Sequence, residues 1–101
     1  MEKLITVVLP SYKSGKLLIS HLEKISKKIK IIIIENSNDK ELKKKIENKY
    51  KNARVYLRNN IGYGRSINLG ANHVKSKYFL VISLFISCIE LIFITKSIGQ
   101  F

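Results

Sequence analysis

The chain has 101 residues, 46% of them apolar and 26% charged, with a mean hydropathy of +0.01. That balance excludes an intrinsically disordered chain and leaves room for one small domain with a modest core. Nineteen basic residues against seven acidic ones give a formal charge of +12, which favours anionic partners such as nucleic acid, nucleotide diphosphates or an acidic membrane face.

Leu4-Ile5-Thr6-Val7-Val8-Leu9 is a short, β-branched apolar run stopped by Pro10 and predicts a buried strand. Nothing in Met1-Glu2-Lys3-Leu4 resembles a secretory signal. Leu18, Leu22, Ile25 and Ile29 follow at helical spacing, with Ser14 upstream as a cap. Ile31 to Ile34 is too short for a helix and suits a central strand. Asn38 with Glu41 reads as a capping box for a second helix faced by Leu42, Ile46 and Tyr50. Val55 and Leu57 alternate with Arg54, Tyr56 and Arg58, the pattern of a half-exposed strand. Ile67, Ala71 and Val74 outline a third helix, and Tyr78 to Ile82 a fourth buried strand. The order is therefore βαβαβαβ, which predicts an α/β fold with a parallel sheet covered by helices on both faces. Many lysines, Lys24, Lys28, Lys44 and Lys51 among them, read most simply as solvated helix surface.

Ligands of open parallel sheets bind outside the carboxyl ends of the strands. In this chain those ends are Pro10-Ser11-Tyr12, Glu35-Asn36-Ser37-Asn38-Asp39, Asn59-Asn60-Ile61-Gly62-Tyr63-Gly64-Arg65 and Ser83-Leu84-Phe85. The last is apolar, whereas the others carry hydrogen-bonding and turn residues. Tyr12 offers a ring for stacking on a base. Glu35 offers a carboxylate that would emerge at the sheet edge, able to accept from a pyrimidine imide or a ribose hydroxyl. Gly62 and Gly64 allow a tight turn and close approach of a ligand, and Arg65 adds a fork for phosphate beside a helix start. Each segment alone is better explained as a turn or cap, because turn-forming residues are common at such sites. The glycines match neither the dinucleotide fingerprint, since Ile67 stands at the third glycine position, nor a P-loop.

Together these segments resemble the family 2 glycosyltransferases, which have a glycosyltransferase A-type, Rossmann-like fold. The resemblance runs in order through Val7-Val8-Leu9-Pro10-Ser11-Tyr12, Ile33-Ile34-Glu35-Asn36-Ser37-Asn38-Asp39, Asn60-Ile61-Gly62-Tyr63-Gly64-Arg65-Ser66-Ile67-Asn68-Leu69-Gly70 and Ser76-Lys77-Tyr78-Phe79-Leu80-Val81-Ile82. It implies a hexosyltransferase-type enzyme of cell-surface polysaccharide synthesis, moving a sugar from a nucleotide diphosphate-sugar to an acceptor that the sequence does not identify. By resemblance, Pro10, Ser11, Tyr12, Glu35, Asn36 and Ser37 hold the nucleoside, and Asn60, Gly62, Gly64, Arg65 and Asn68 line the nucleotide-sugar pocket. Glu35 replaces the more usual Asp.

The resemblance also implies a divalent metal, Mg or Mn, held by an acidic motif after the fourth strand. Ser83-Leu84-Phe85 carries no carboxylate, and Glu90 stands alone in an apolar run. The expected organisation is a nucleotide-sugar-binding part over residues 1–83 and an apolar tail over 84–101, the product of truncation or frameshift, giving an incomplete and inactive fragment. His21 and His73 lack partners at catalytic or metal spacing, and no catalytic residue is assigned. Cys88, the only cysteine, excludes an internal disulfide and reads as a buried apolar residue. Two other readings stay open. One is a small basic nucleic-acid-binding module, disfavoured because no recognised binding motif is present. The other is an inactive fragment with weak membrane association through Tyr78–Ile94. The expected location is the cytoplasm, including the inner face of the membrane.

Overall fold

The computed structural model describes residues 5–83 and 90–95. They form β1 (Ile5–Ser11), α1 (Gly15–Lys24), β2 (Lys30–Glu35), α2 (Lys40–Lys49), β3 (Ala53–Leu57), α3 (Tyr63–Asn72), β4 (Tyr78–Ser83) and β5 (Glu90–Thr95). The sheet order is β3-β2-β1-β4-β5, with β1 to β4 parallel and β5 antiparallel to β4. The expected parallel α/β architecture is present, with one further strand. Part of the segment expected as an apolar tail, Glu90–Thr95, pairs along β4 from Ser83↔Glu90 to Tyr78↔Thr95. No helix among the described residues is long and apolar enough to cross a membrane. Cys88 and Leu84-Phe85 lie outside the described residues.

The isoleucine run explains the layering. Successive residues of a strand face opposite sides, so a strand covered on both faces must be apolar at every position. Ile31 and Ile33 enter a core with Val7, Leu9, Leu18, Leu22, Ile46 and Val55 beneath α1 and α2. Ile32 and Ile34 enter another with Val8, Ala71, Val74, Phe79 and Val81 beneath α3. Parallel crossovers are right-handed. The chain therefore lays α1 and α2 on one face while stepping from β1 to β3, and α3 on the other while crossing back to β4.

Several boundaries differ from the sequence expectation. Pro10 does not stop β1, which continues to Ser11 opposite Glu35 of β2. The β1–β4 ladder ends at Val8↔Val81, so the proline sits where one flank of the strand is open. α1 ends at Lys24, short of Ile25 and Ile29, because the chain must turn into β2 at Lys30. The Ser26 hydroxyl accepts from the Lys28 amide in that turn, and both isoleucines still pack against the core from the loop. Ser14 occupies the cap position of α1 but donates its hydroxyl to the Tyr12 carbonyl. The cap of α2 is Asp39, which accepts from the Leu42 amide, whereas Asn38 adopts a left-handed φ of 54°.

The inner ends of α1 and α2 are latched by the Tyr50 hydroxyl on Glu23 (2.7 Å) and by Lys49 on Glu23 (3.4 Å). The Tyr50 hydrogen bond, then the Lys49 charge, hold the Glu23 carboxyl below its ordinary range.

α3 lies close against the sheet because Gly70 has no side chain. A Cβ there would stand 2.5 Å from Val8 Cγ1, whereas one at Gly64 would meet nothing within 4 Å. Gly70→Ala is expected to lower stability by about 1–3 kcal/mol through overpacking, and Gly64→Ala to change it by less than about 1 kcal/mol. Urea unfolding of the two variants checks this, and equal midpoints would show that α3 can lift off the sheet without cost.

Candidate functional site

The carboxyl ends of β1, β2 and β3 form a polar rim, and Asn36 stitches it together. This residue is buried just past the end of β2. Its amide N–H donates to the Ser11 carbonyl (2.7 Å), and its own carbonyl accepts from the Asn60 amide (2.6 Å). Its side-chain Oδ1 accepts from the Ile61 amide (3.0 Å), while Nδ2 donates to Ser66 Oγ (2.8 Å). Ser66, fully buried, donates its hydroxyl hydrogen bond to the Gly62 carbonyl (2.6 Å). One side chain thus fixes the end of β1, the β3–α3 loop and the first turn of α3 relative to one another. The β3–α3 loop is pinned further by the Arg58 amide on the Glu35 carbonyl (2.8 Å) and by a bridge between Ser37 and Asn59.

Glu35 departs from its expectation. Its side chain does not emerge at the edge: it is fully buried, on the same face as Ile31 and Ile33. Oε1 accepts from the Ser37 amide (3.1 Å) and hydroxyl (2.5 Å), and Oε2 from the Asp39 amide (2.8 Å). The tight turn into α2 leaves main-chain N–H groups without helical partners, and a buried carboxylate satisfies them while being satisfied in return. Ser11 lies opposite Glu35 in the register and faces the same side. Its hydroxyl is the one buried side-chain polar atom without a hydrogen-bond partner among the described residues. Buried polar groups are almost always paired, so this atom marks a place where a ligand group would be welcome.

The other expected site residues take up distinct places. Pro10 lies in β1 and is buried, and Tyr12 just beyond is 39% exposed, with Lys13 Nζ 5.2 Å from its ring centroid. Asn60 (φ 29°) and Gly62 (φ 92°) carry the left-handed backbone that turns the loop into α3; the glycine is required there because a side chain would be strained. Gly64 and Arg65 are exposed in the first turn of α3, whose start has no side-chain cap. Asn68 lies a turn further along α3 and is exposed. Thus Ser11, Tyr12, Asn36, Ser37, Asn60, Gly62, Gly64 and Arg65 share one edge, and Asn68 follows Arg65 by one helical turn.

Sequence reasoning missed Ser66 as a structural hub and Asp39 as the cap. A signal for Ser66 existed: a serine four residues after a glycine turn can bond back to that turn's carbonyl. The histidines lie elsewhere. His21 is buried on α1, and His73 stacks on Tyr56 (3.9 Å, 14°) past the far end of α3.

The sequence profile described as Glycosyl transferase family 2 matches residues 6–83, from the first residues of β1 to the end of β4. No curated protein matches the chain.

Removing the stitch should loosen the rim. Asn36→Ala leaves the Ile61 amide and Ser66 hydroxyl without their partner and is expected to cost about 1–3 kcal/mol. Ser66→Ala, which spares the bond from the Ile61 amide to Asn36 Oδ1, should cost less. Hydrogen exchange localises the effect: faster exchange confined to residues 58–66 is the expected result, and unchanged exchange there would show that Asn36 does not hold the loop.

Proposed function

The chain belongs to family 2 of the glycosyl transferases, and on that premise we propose that its rim binds the nucleoside diphosphate of an activated sugar. Glycosyl transfer is the general function of the family, and its members generally use nucleotide-sugar donors and a metal. The observation that carries the proposal is the convergence on Asn36 of the β1, β2 and β3 ends, beside an unpartnered buried Ser11 hydroxyl. Tyr12 supplies the stacking surface for the base and Ser11 a polar contact near the nucleoside. Arg65 and the uncapped start of α3 face the phosphates, since a helix N-terminus and a guanidinium both favour anions. Glu35, Asn36 and Ser37 act by positioning: their hydrogen bonds hold the turn that shapes the pocket. Asn60 and Gly62 shape the opposite wall, and Asn68, one helical turn beyond Arg65, extends it along α3.

A resident metal does not fit the described residues. They hold no group of three or more His, Cys, Asp or Glu side chains able to take an ion. Of the two carboxylates nearest the rim, Glu35 has both oxygens engaged in the turn, and Asp39 gives one oxygen to the Leu42 amide. A divalent ion held by protein oxygens takes several ligands, and the second oxygen of Asp39 is the one carboxylate oxygen that these two residues leave for it. Neither histidine is placed at the rim, and the Asp39 carboxylate there serves as the cap of α2. The activity proposed for the described residues is donor binding without turnover.

Calorimetric titration with uridine and guanosine diphosphates tests this. Weak binding, unaffected by a chelator, is expected. Tyr12→Ala should weaken it about tenfold through lost stacking, and Arg65→Gln should reduce it and flatten its salt dependence. Lys44→Gln, on the exposed flank of α2, should leave it unchanged. Absence of any heat or thermal shift at millimolar nucleotide would remove the proposal.

A further inference from the structure

The opposite edge of the sheet carries a different chemistry. The parallel strands begin level with one another: Ile5 pairs with Tyr78, Thr6 with Lys30 and Ile31 with Ala53. The loops that feed these starts therefore lie side by side, about 14 Å across from β3 to β4 at the usual strand spacing. Lys27, Lys28, Lys30, Lys51, Lys75 and Lys77 all occupy those loops or strand starts, and all are exposed. Lys24 and Lys49 have a structural reason to be there, since cations suit helix C-termini. The loop lysines do not: they lie beyond the helix ends. The nearby acids are already engaged, Glu23 by Lys49 and Tyr50, and Glu47 by Lys43 and the Val55 amide. Among the described residues, what remains is a level field of ammonium groups without an acidic partner, at the end of the sheet opposite the rim.

We propose that this edge is a docking surface for an anionic lipid bilayer. The alternative polyanion, a nucleic acid, calls for aromatic stacking platforms and planar guanidinium forks. Among the described residues the one large apolar side chain classed as exposed is Tyr12, at the opposite rim, and the edge is built mainly from lysines. Lysine is a flexible point charge suited to diffuse attraction to a charged plane. Docked this way, the strands stand upright on the bilayer and hold the rim about 20 Å above it, open to water-soluble nucleotides. The proposal does not depend on what the rim binds.

Flotation with vesicles of phosphatidylcholine, with and without about one-third phosphatidylserine, tests it on the full chain. Binding only to the anionic vesicles, falling steeply with salt, is expected. The combined variant Lys27→Gln, Lys28→Gln, Lys51→Gln, Lys75→Gln should bind at least about a hundredfold more weakly, from about fivefold per charge near the surface. Removing as many charges elsewhere, with Lys16→Gln, Lys40→Gln, Lys44→Gln and Lys45→Gln, should weaken it less than about tenfold. Equal losses in the two variants would assign binding to net charge alone and overturn the proposal. So would failure of the unmodified chain to float with anionic vesicles, a result independent of how any variant folds. Tighter binding to polyuridylate than to vesicles at equal salt would also overturn it, in favour of nucleic acid.

Discussion

The fold rests on central strands that must be kept dry on both faces. Ile31 to Ile34 are each almost fully buried, and Val7, Val8 and Leu9 of the neighbouring strand equally so. Such a strand pair is stable only between two helical layers, and right-handed crossovers then dictate which helix covers which face. With that settled, the carboxyl ends of β1, β2 and β3 have to finish side by side. The close seat of α3, made possible by Gly70 on Val8, brings its first turn to the same edge. The rim follows from the core.

This dependence explains what could be read from residues alone. The isoleucine run, the helical spacing of Leu18 and Leu22 and the apolar stretch from Tyr78 all signal burial, and burial sets element type and layer order. The sheet-edge segments could be placed because turn residues interrupt those patterns in the right positions. Capping was less legible. Asn38 and Asp39 are both competent caps by type, and the choice fell to Asp39 because Asn38 takes the left-handed conformation that joins Glu35 to α2. The fifth strand was not legible either: Leu91 to Ile94 is apolar enough for several fates, and only pairing with β4 decides among them.

Glu35 shows how a site residue can be found at the right place with a different task. Its position at the end of a buried strand marks the edge, as its sequence context suggested. A carboxylate in that position sits among amide groups that the start of α2 leaves unpaired, and it meets them before it can meet a ligand. Ser11, on the same face and in register with it, is the residue left without a partner. The division is consistent with an edge in which some polar groups build the shape and others are held in reserve for what fills it.

Charge magnitudes argue for binding over turnover at this rim. The start of a helix is worth about half an elementary charge, and Arg65 adds one more. These two groups, the ones proposed to face the phosphates, carry less than the charge on a nucleoside diphosphate and supply less than a divalent ion does when a diphosphate departs. Both groups are also exposed to water, where each unit of charge counts for much less than in a dry site. A rim of this kind can orient a donor, but it stabilises a departing diphosphate poorly. The lysines at the far edge cannot make up the difference, because a strand of about 20 Å and salt screening with a length near 8–10 Å separate them from it. The lysine cluster of the far edge and the chemistry of the rim are therefore separate properties, at opposite ends of the same sheet.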